Sequence, residues 1–188
     1  MQQAAKVYLA ALSIVLVLLL AAAFDDGALA ASKKAEKSDD PVVVVETDKG
    51  TFKIRVFEEE APVTAANFLR LVNKGFYNGL TFHRWEPDFL IQGGDPTGTG
   101  TGGSGETIPL EITARKHNEA GIVGMGRKSD PNSATSQFYV LLQPRSELDG
   151  KYAVFGKVVE GFETVFQIHK GDHMTKVYVD EGNKKKKR

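Results

Sequence analysis

Phe82-His83-Arg84-Trp85-Glu86-Pro87-Asp88-Phe89-Leu90-Ile91-Gln92-Gly93-Gly94-Asp95 joins two short apolar runs through a Pro-Asp break and ends on paired glycines. It sets one fixed cation, Arg84, among aromatic and aliphatic side chains, with the amide of Gln92 a few residues on. Read as an alternating strand, Arg84 shares a face with Phe82. Pro87-Asp88 breaks that strand, and a second short apolar run, Phe89-Leu90-Ile91, follows before Gly93-Gly94. An arginine held beside an apolar pocket can hydrogen-bond the one polar group of an otherwise apolar ligand. Two ordinary core strands with a solvent-facing arginine give the same pattern, so periodicity alone does not choose between them.

Outward from this stretch the chain is a series of short strands. Val42 to Glu46 and Thr51 to Val56 read as a hairpin turned by Thr47-Asp48-Lys49-Gly50. Further strands are expected at 81–85, 89–92, 122–126, 137–142, 154–159 and 176–179. Pro62 to Asn73 reads as a helix, with Pro62 near its start, Gly75 just past its end, and Ala65, Phe68, Leu71 and Val72 on one face. Gly161 to Ile168 reads as a second, short helix stopped at Gly171. Many short strands and few helices argue for a mainly β fold, a closed barrel in place of a parallel sheet.

Composition excludes several kinds of chemistry. There is no cysteine among 188 residues, so disulfides, thiolate metal sites and thiol catalysis are out. Net charge is zero, but five of the 24 basic residues form the run Lys184-Lys185-Lys186-Lys187-Arg188. The rest is mildly acidic, and no nucleic-acid partner is expected. The basic run reads as a solubilising end. His169 and His173 are four apart, but Gly171 breaks the helix that would align them, and no metal is expected. Gly98-Thr99-Gly100-Thr101-Gly102-Gly103 fits G-x-G-x-x-G, but no helix opens after it to hold a phosphate, and Pro109 follows closely. It reads as a surface loop, and His83 reads as a structural residue.

Four segments in order carry a resemblance. They are the Phe-His-Arg…Phe…Gln-Gly-Gly-Asp block, the Gly98–Gly103 loop, Ser136-Gln137-Phe138-Tyr139, and Leu148-Asp149-Gly150-Lys151 leading to Val154-Phe155-Gly156-Lys157-Val158. Together they resemble the cyclophilin family of peptidyl-prolyl isomerases, from about Val42 to Asp180. The resemblance implies a closed eight-stranded antiparallel β-barrel capped by two α-helices, binding proline-containing peptides and client proteins as a monomer, with no cofactor.

The implied chemistry is rotation about an Xaa-Pro amide, which takes tens to hundreds of seconds unaided behind a barrier of ~18–20 kcal/mol. No bond breaks, so no nucleophile or metal is needed, only a site that prefers the twisted amide. As the amide twists, the nitrogen lone pair localises and can accept a hydrogen bond, and a fixed guanidinium stabilises that state alone. The resemblance makes Arg84 the catalytic arginine and Gln92 the amide that orients it and the peptide. It makes Phe89, Leu90, Phe138 and Leu148 the apolar wall of the proline pocket, with Leu90 in place of a common methionine. Tyr152, Gly126, Arg127 and Gln137 complete the expected substrate contacts.

Three departures from the family pattern bear on ligand range. Ser146-Glu147 stands where many members carry a tryptophan just before the Leu-Asp-Gly segment. Tyr152 replaces a frequent histidine, and Gly126-Arg127 replaces an Ala-Asn pair. They imply weak binding of cyclosporin. A non-catalytic binding module on the same fold is the competing reading, and the full set Arg84, Gln92, Phe89 and Phe138 favours catalysis.

Ahead of the domain, Val7 to Phe24 is an uncharged, largely aliphatic run of 18 residues, preceded by Lys6 and followed by Ala28-Leu29-Ala30. It reads as a cleaved secretory signal, with a single-pass membrane anchor as the alternative. The expected organisation is a signal or anchor at 1–30, a linker at 31–41, the isomerase domain at 42–181 and a basic tail at 182–188. Either reading of the first segment puts the domain beyond a membrane.

Overall fold

The computed structural model describes residues 39–183. The expected signal or anchor segment, most of the expected linker and the run Lys184–Arg188 lie outside the described residues. Eight strands form one antiparallel sheet: β1 (Val42–Thr47), β2 (Gly50–Val56), β3 (Phe82–Glu86), β4 (Leu90–Gly93), β5 (Ile122–Met125), β6 (Phe138–Leu141), β7 (Val154–Glu160) and β8 (Met174–Val179). Each lies within two residues of its expected bounds. Two helices accompany them, α1 (Pro62–Asn73) and α2 (Phe162–Gln167). No helix among the described residues is long and apolar enough to cross a membrane.

The strand order is β3-β4-β6-β5-β7-β2-β1-β8, a sheet that curls into a half-barrel. The expected closed barrel is not formed. The outer strands β3 and β8 meet only near their starts, at the bridge Thr81 to His173 and the bonds around it: the Phe82 N–H donates to the Asp172 carbonyl at 2.9 Å, the Gly171 N–H to the Phe82 carbonyl at 2.9 Å and the Met174 N–H to the Leu80 carbonyl at 2.8 Å. A ladder continuing along β3 past Phe82 would need residues 169–171 extended. They turn instead: the Asp172 N–H donates to the His169 carbonyl at 3.1 Å, and Gly171 sits at φ +99°, a conformation that suits glycine.

The sheet has two buried faces. The inner one holds the main core, with Val43, Val45, Phe52, Ile54, Phe82, Ile91, Val123, Phe138, Val140 and Phe155 packed against α1 through Ala65, Phe68, Leu71 and Val72. Four of its rings, Phe68, Tyr77, Phe138 and Phe155, lie in mutual contact with Phe68 at the centre, at centroid distances of 5.0 to 5.4 Å. The other face, over β4, β5 and β6, carries a second apolar cluster of Phe57, Leu90, Ile122, Tyr139, Leu141 and Val154.

Helix α1 begins at Pro62, whose missing N–H is no loss in the first turn. No local side chain caps it. Glu111, 47 and 48 residues away, accepts from the Thr64 N–H at 2.8 Å and the Val63 N–H at 3.1 Å, placing a carboxylate at the positive end of the helix dipole.

Candidate active site

Arg84 does not share a face with Phe82. The β3–β4 ladder pairs Phe82 with Gly93 and Arg84 with Gln92, so two steps along β3 answer one along β4. This bulge at His83 breaks the alternation. Phe82 stays in the inner core, Trp85 packs partly buried against that core and stacks on His169 at 4.6 Å, and Arg84 turns to the outer face.

There the guanidinium is held on two edges and one face. Nη1 donates to Gln92 Oε1 at 3.0 Å. Nε and Nη2 both donate to Glu86 Oε1, at 2.8 and 2.6 Å. The group lies over the Phe89 ring at 5.4 Å, and Arg145 stands over the same ring at 5.0 Å. Two residues along a strand return to one face, so Glu86 could have been read as Arg84's neighbour from spacing alone.

The polar line continues beyond Gln92. Its Nε2 donates to Gln137 Oε1 at 2.8 Å, and Gln137 Nε2 donates to the Gly100 and Gly102 carbonyls at 3.0 and 2.8 Å. That glycine-rich loop is folded around the buried carboxylate of Asp95. It accepts from the Thr97 N–H and hydroxyl, both at 2.8 Å, and from the Gly100 and Gly102 N–H groups at 2.6 and 3.1 Å. Burial pushes the Asp95 carboxyl up, but these bonds outweigh it and hold it at about 2. The loop's glycines therefore serve a carboxylate of the protein's own. His83 is buried beside the loop, and that burial pushes its imidazole down, in keeping with a structural role.

Beside Arg84 lies the apolar basin. Phe89, Leu148 and Tyr152 are half-buried against Leu90 and Tyr139. The expected wall residue Phe138 is not among them. It points into the main core, fully buried against Phe68 and Tyr77. Its neighbour Tyr139 takes the place. Successive strand residues face opposite sides, and on β6 both sides are buried, so the sequence Phe-Tyr-Val-Leu shows no alternation to tell them apart. Gly124 lets the Tyr139 ring lie down on the sheet, since a Cβ there would collide with the phenol.

Gly126 and Arg127 border a groove of about 350 Å³ shared with Gln92, Gln137 and the glycine loop. The Arg127 side chain is committed to the protein itself. Nε donates to the Lys151 carbonyl at 2.9 Å, Nη1 to those of Lys128 and Ser129, and the guanidinium covers the Tyr152 ring at 4.9 Å. A guanidinium beside an apolar basin, with a groove lined by glutamines and the glycine loop on its other flank, suits a peptide carrying one apolar ring. Among the described residues no cluster of His, Asp and Glu could hold a metal ion.

The family model for cyclophilin-type peptidyl-prolyl cis-trans isomerase matches residues 42–187. The chain belongs to the cyclophilin family. A peptidyl-prolyl cis-trans isomerase of Synechococcus elongatus is 42% identical over 138 residues, which are 72% of this chain and 94% of that protein. The peptidyl-prolyl cis-trans isomerase B of Bacillus subtilis is 43% identical, over 71% of this chain and 93% of its own. The crystal structure of a cyclophilin-type isomerase from Cryptosporidium parvum superposes with a TM-score of 0.71 at 33% identity, over 76% of this chain and 98% of that one. A second structure of that protein was determined in the presence of the dipeptide Ala-Pro. This cyclophilin is thus a peptidyl-prolyl cis-trans isomerase, with a mainly β fold of eight antiparallel strands and two helices.

Proposed function

We propose that this cyclophilin accelerates rotation of Xaa-Pro bonds in client proteins beyond a membrane, as a monomer, and so assists their folding. The observation that carries the mechanism is the anchored Arg84 at the edge of the Phe89–Leu90–Tyr139–Leu148–Tyr152 basin. The proline ring seats in the basin. Arg84, held by Gln92 and Glu86, offers its remaining N–H groups to the twisting amide, and Gln92 and Gln137 orient the peptide backbone. A donor fixed before the reaction needs no reorganisation when the lone pair appears.

The placement beyond a membrane rests on the apolar run Val7 to Phe24 and the small residues after it. Weak cyclosporin binding rests on Glu147, which stands exposed in the 3₁₀ turn Ser146–Leu148 at the rim of the basin. A carboxylate there resists desolvation by a large apolar macrocycle. An isomerase assay on a short Ala-Pro peptide with Arg84→Ala tests the mechanism. Mass spectrometry of the N-terminus of the protein from its own cells tests the cleavage.

A further inference from the structure

His117 is the one buried residue in the otherwise half-exposed or exposed stretch 111–120. It is wholly buried, and every polar atom it has is engaged. Its backbone N–H and its Nδ1 both reach Asp149 Oδ1, at 2.8 and 2.9 Å. Its Nε2 lies 2.8 Å from the Tyr139 hydroxyl, and its carbonyl accepts from the Arg145 N–H at 2.6 Å. The Arg145 carbonyl in turn accepts from the Leu148 N–H at 3.1 Å. Two walls of the basin are therefore tied to one histidine from a third segment, Tyr139 on β6 through its imidazole and Leu148 in the following loop through its carbonyl.

The chemistry fixes the direction of the bonds to Asp149. Hydrogen bonding from the His117 backbone lowers the Asp149 carboxyl further below its usual range, so it is ionised and only accepts. Nδ1 therefore carries a proton, which it donates to that carboxylate. Burial pushes the Tyr139 phenol up, so it keeps its proton and can share a hydrogen bond with Nε2 at 2.8 Å. Tyr139 is held face-down over Gly124, with the Tyr152 ring edge-on at 6.1 Å.

We infer that His117 and Asp149 are positioning residues for substrate capture: together they fix the Tyr139 floor and the Leu148 rim of the basin in the shape that grips a proline ring. The inference rests on reading that basin as the proline pocket. His117 has no exposed surface and touches no substrate, so it acts through Tyr139 and Leu148. Loss of the tie loosens the pocket and leaves Arg84 and Gln92, on β3 and β4, in place. The signature is a rise in Kd or KM with kcat preserved.

The test is titration of the full chain with an Ala-Ala-Pro-Phe peptide, alongside isomerase kinetics, well below the melting temperature of each variant. Asp149→Ala is expected to raise Kd about fivefold with kcat within about twofold of wild type. Asp149→Asn keeps a carbonyl oxygen for both His117 N–H groups and is expected to restore most of the affinity. Tyr139→Phe, which removes only the hydroxyl, is expected to raise Kd about threefold, and it carries the test if Asp149→Ala does not fold. In ¹⁵N spectra the His117 ring is expected to carry a proton on Nδ1. Wild-type affinity in Asp149→Ala or in Tyr139→Phe, or a ring with no proton on Nδ1, would overturn the inference. Failure of the wild type to bind the peptide would instead overturn the proline-pocket reading on which it stands.

Discussion

Arg84 and Gln92 face each other across the β3–β4 ladder, and Nη1 of Arg84 donates to Oε1 of Gln92 at 3.0 Å. That one bond orients the amide of Gln92. Its oxygen is taken by Arg84, so its nitrogen points to Gln137, and Gln137 is set by the glycine loop. The reacting donor is thus part of a line of side chains that runs back to Asp95.

Replacing Gln92 by leucine keeps the bulk and removes both bonds. Arg84 then retains Glu86 and the Phe89 ring but loses its link to the peptide-binding side. The expected result is a tenfold fall in kcat/KM, about 1.4 kcal/mol, with the melting temperature little changed. Steady-state isomerase kinetics beside a thermal melt check it.

Phe138→Ala should behave as a stability variant. The ring is fully buried against Phe68 and Tyr77, so its removal is expected to cost about 3–5 kcal/mol in denaturant unfolding. Because Phe138 faces away from the basin, kcat/KM measured in the cold should stay within about threefold of wild type. A large loss of activity in a folded Phe138→Ala protein would return that ring to the pocket wall.

The Asp95 carboxyl is held at about 2, below its ordinary value of 3.8. Its contribution to stability is therefore fully present above pH ~4 and is lost as pH falls through about 2. Denaturant midpoints at successive pH values should drop across this window in the wild type. Asp95→Asn should be less stable at pH ~6 and show a shallower drop, since it has no proton to take up.

The strands were legible where one face is wet or the pattern is simple. Thr51 to Val56 alternates cleanly, and Pro62, the Ala65–Phe68–Leu71–Val72 stripe and Gly75 mark α1. The structure brings together residues that are chemically distinct in the sequence: Arg84, Gln92 and Gln137 in one line of bonds, and Phe89, Leu90, Leu148 and Tyr152 in one apolar cluster. Phe138 and Tyr139 could not be sorted, because β6 is buried on both faces and either aromatic fits either side. The bulge at His83 reversed the facing of Phe82 and leaves no mark in composition. The open sheet follows from the turn at His169–Asp172, which the sequence signals with Gly171 but which a count of strands ignores. His117 was hidden for a different reason. It sits among exposed polar residues, and its partners Tyr139 and Asp149 are 22 and 32 positions away.

At the rim, Glu147→Trp should raise sensitivity to cyclosporin. Glu147 is exposed beside Leu148 and makes only a long contact, 4.0 Å, with Arg145. An indole there adds apolar surface and an N–H donor, worth about 1–3 kcal/mol as one contact among many. Inhibition curves for both forms in one isomerase assay measure the shift, and tight inhibition of the wild type would contradict the role given to Glu147.

The most direct test of the account is the isomerase rate of Arg84→Ala on an Ala-Pro peptide, measured on protein that melts like the wild type. The side chain is half-exposed at the site, so its loss should leave the fold intact. Removing a fixed charged donor to the twisted amide is expected to lower kcat/KM about a hundredfold, roughly 3 kcal/mol of transition-state stabilisation. A folded Arg84→Ala protein that keeps more than about a third of wild-type activity would contradict the mechanism, which makes the Gln92-anchored Arg84 the donor to the twisted amide.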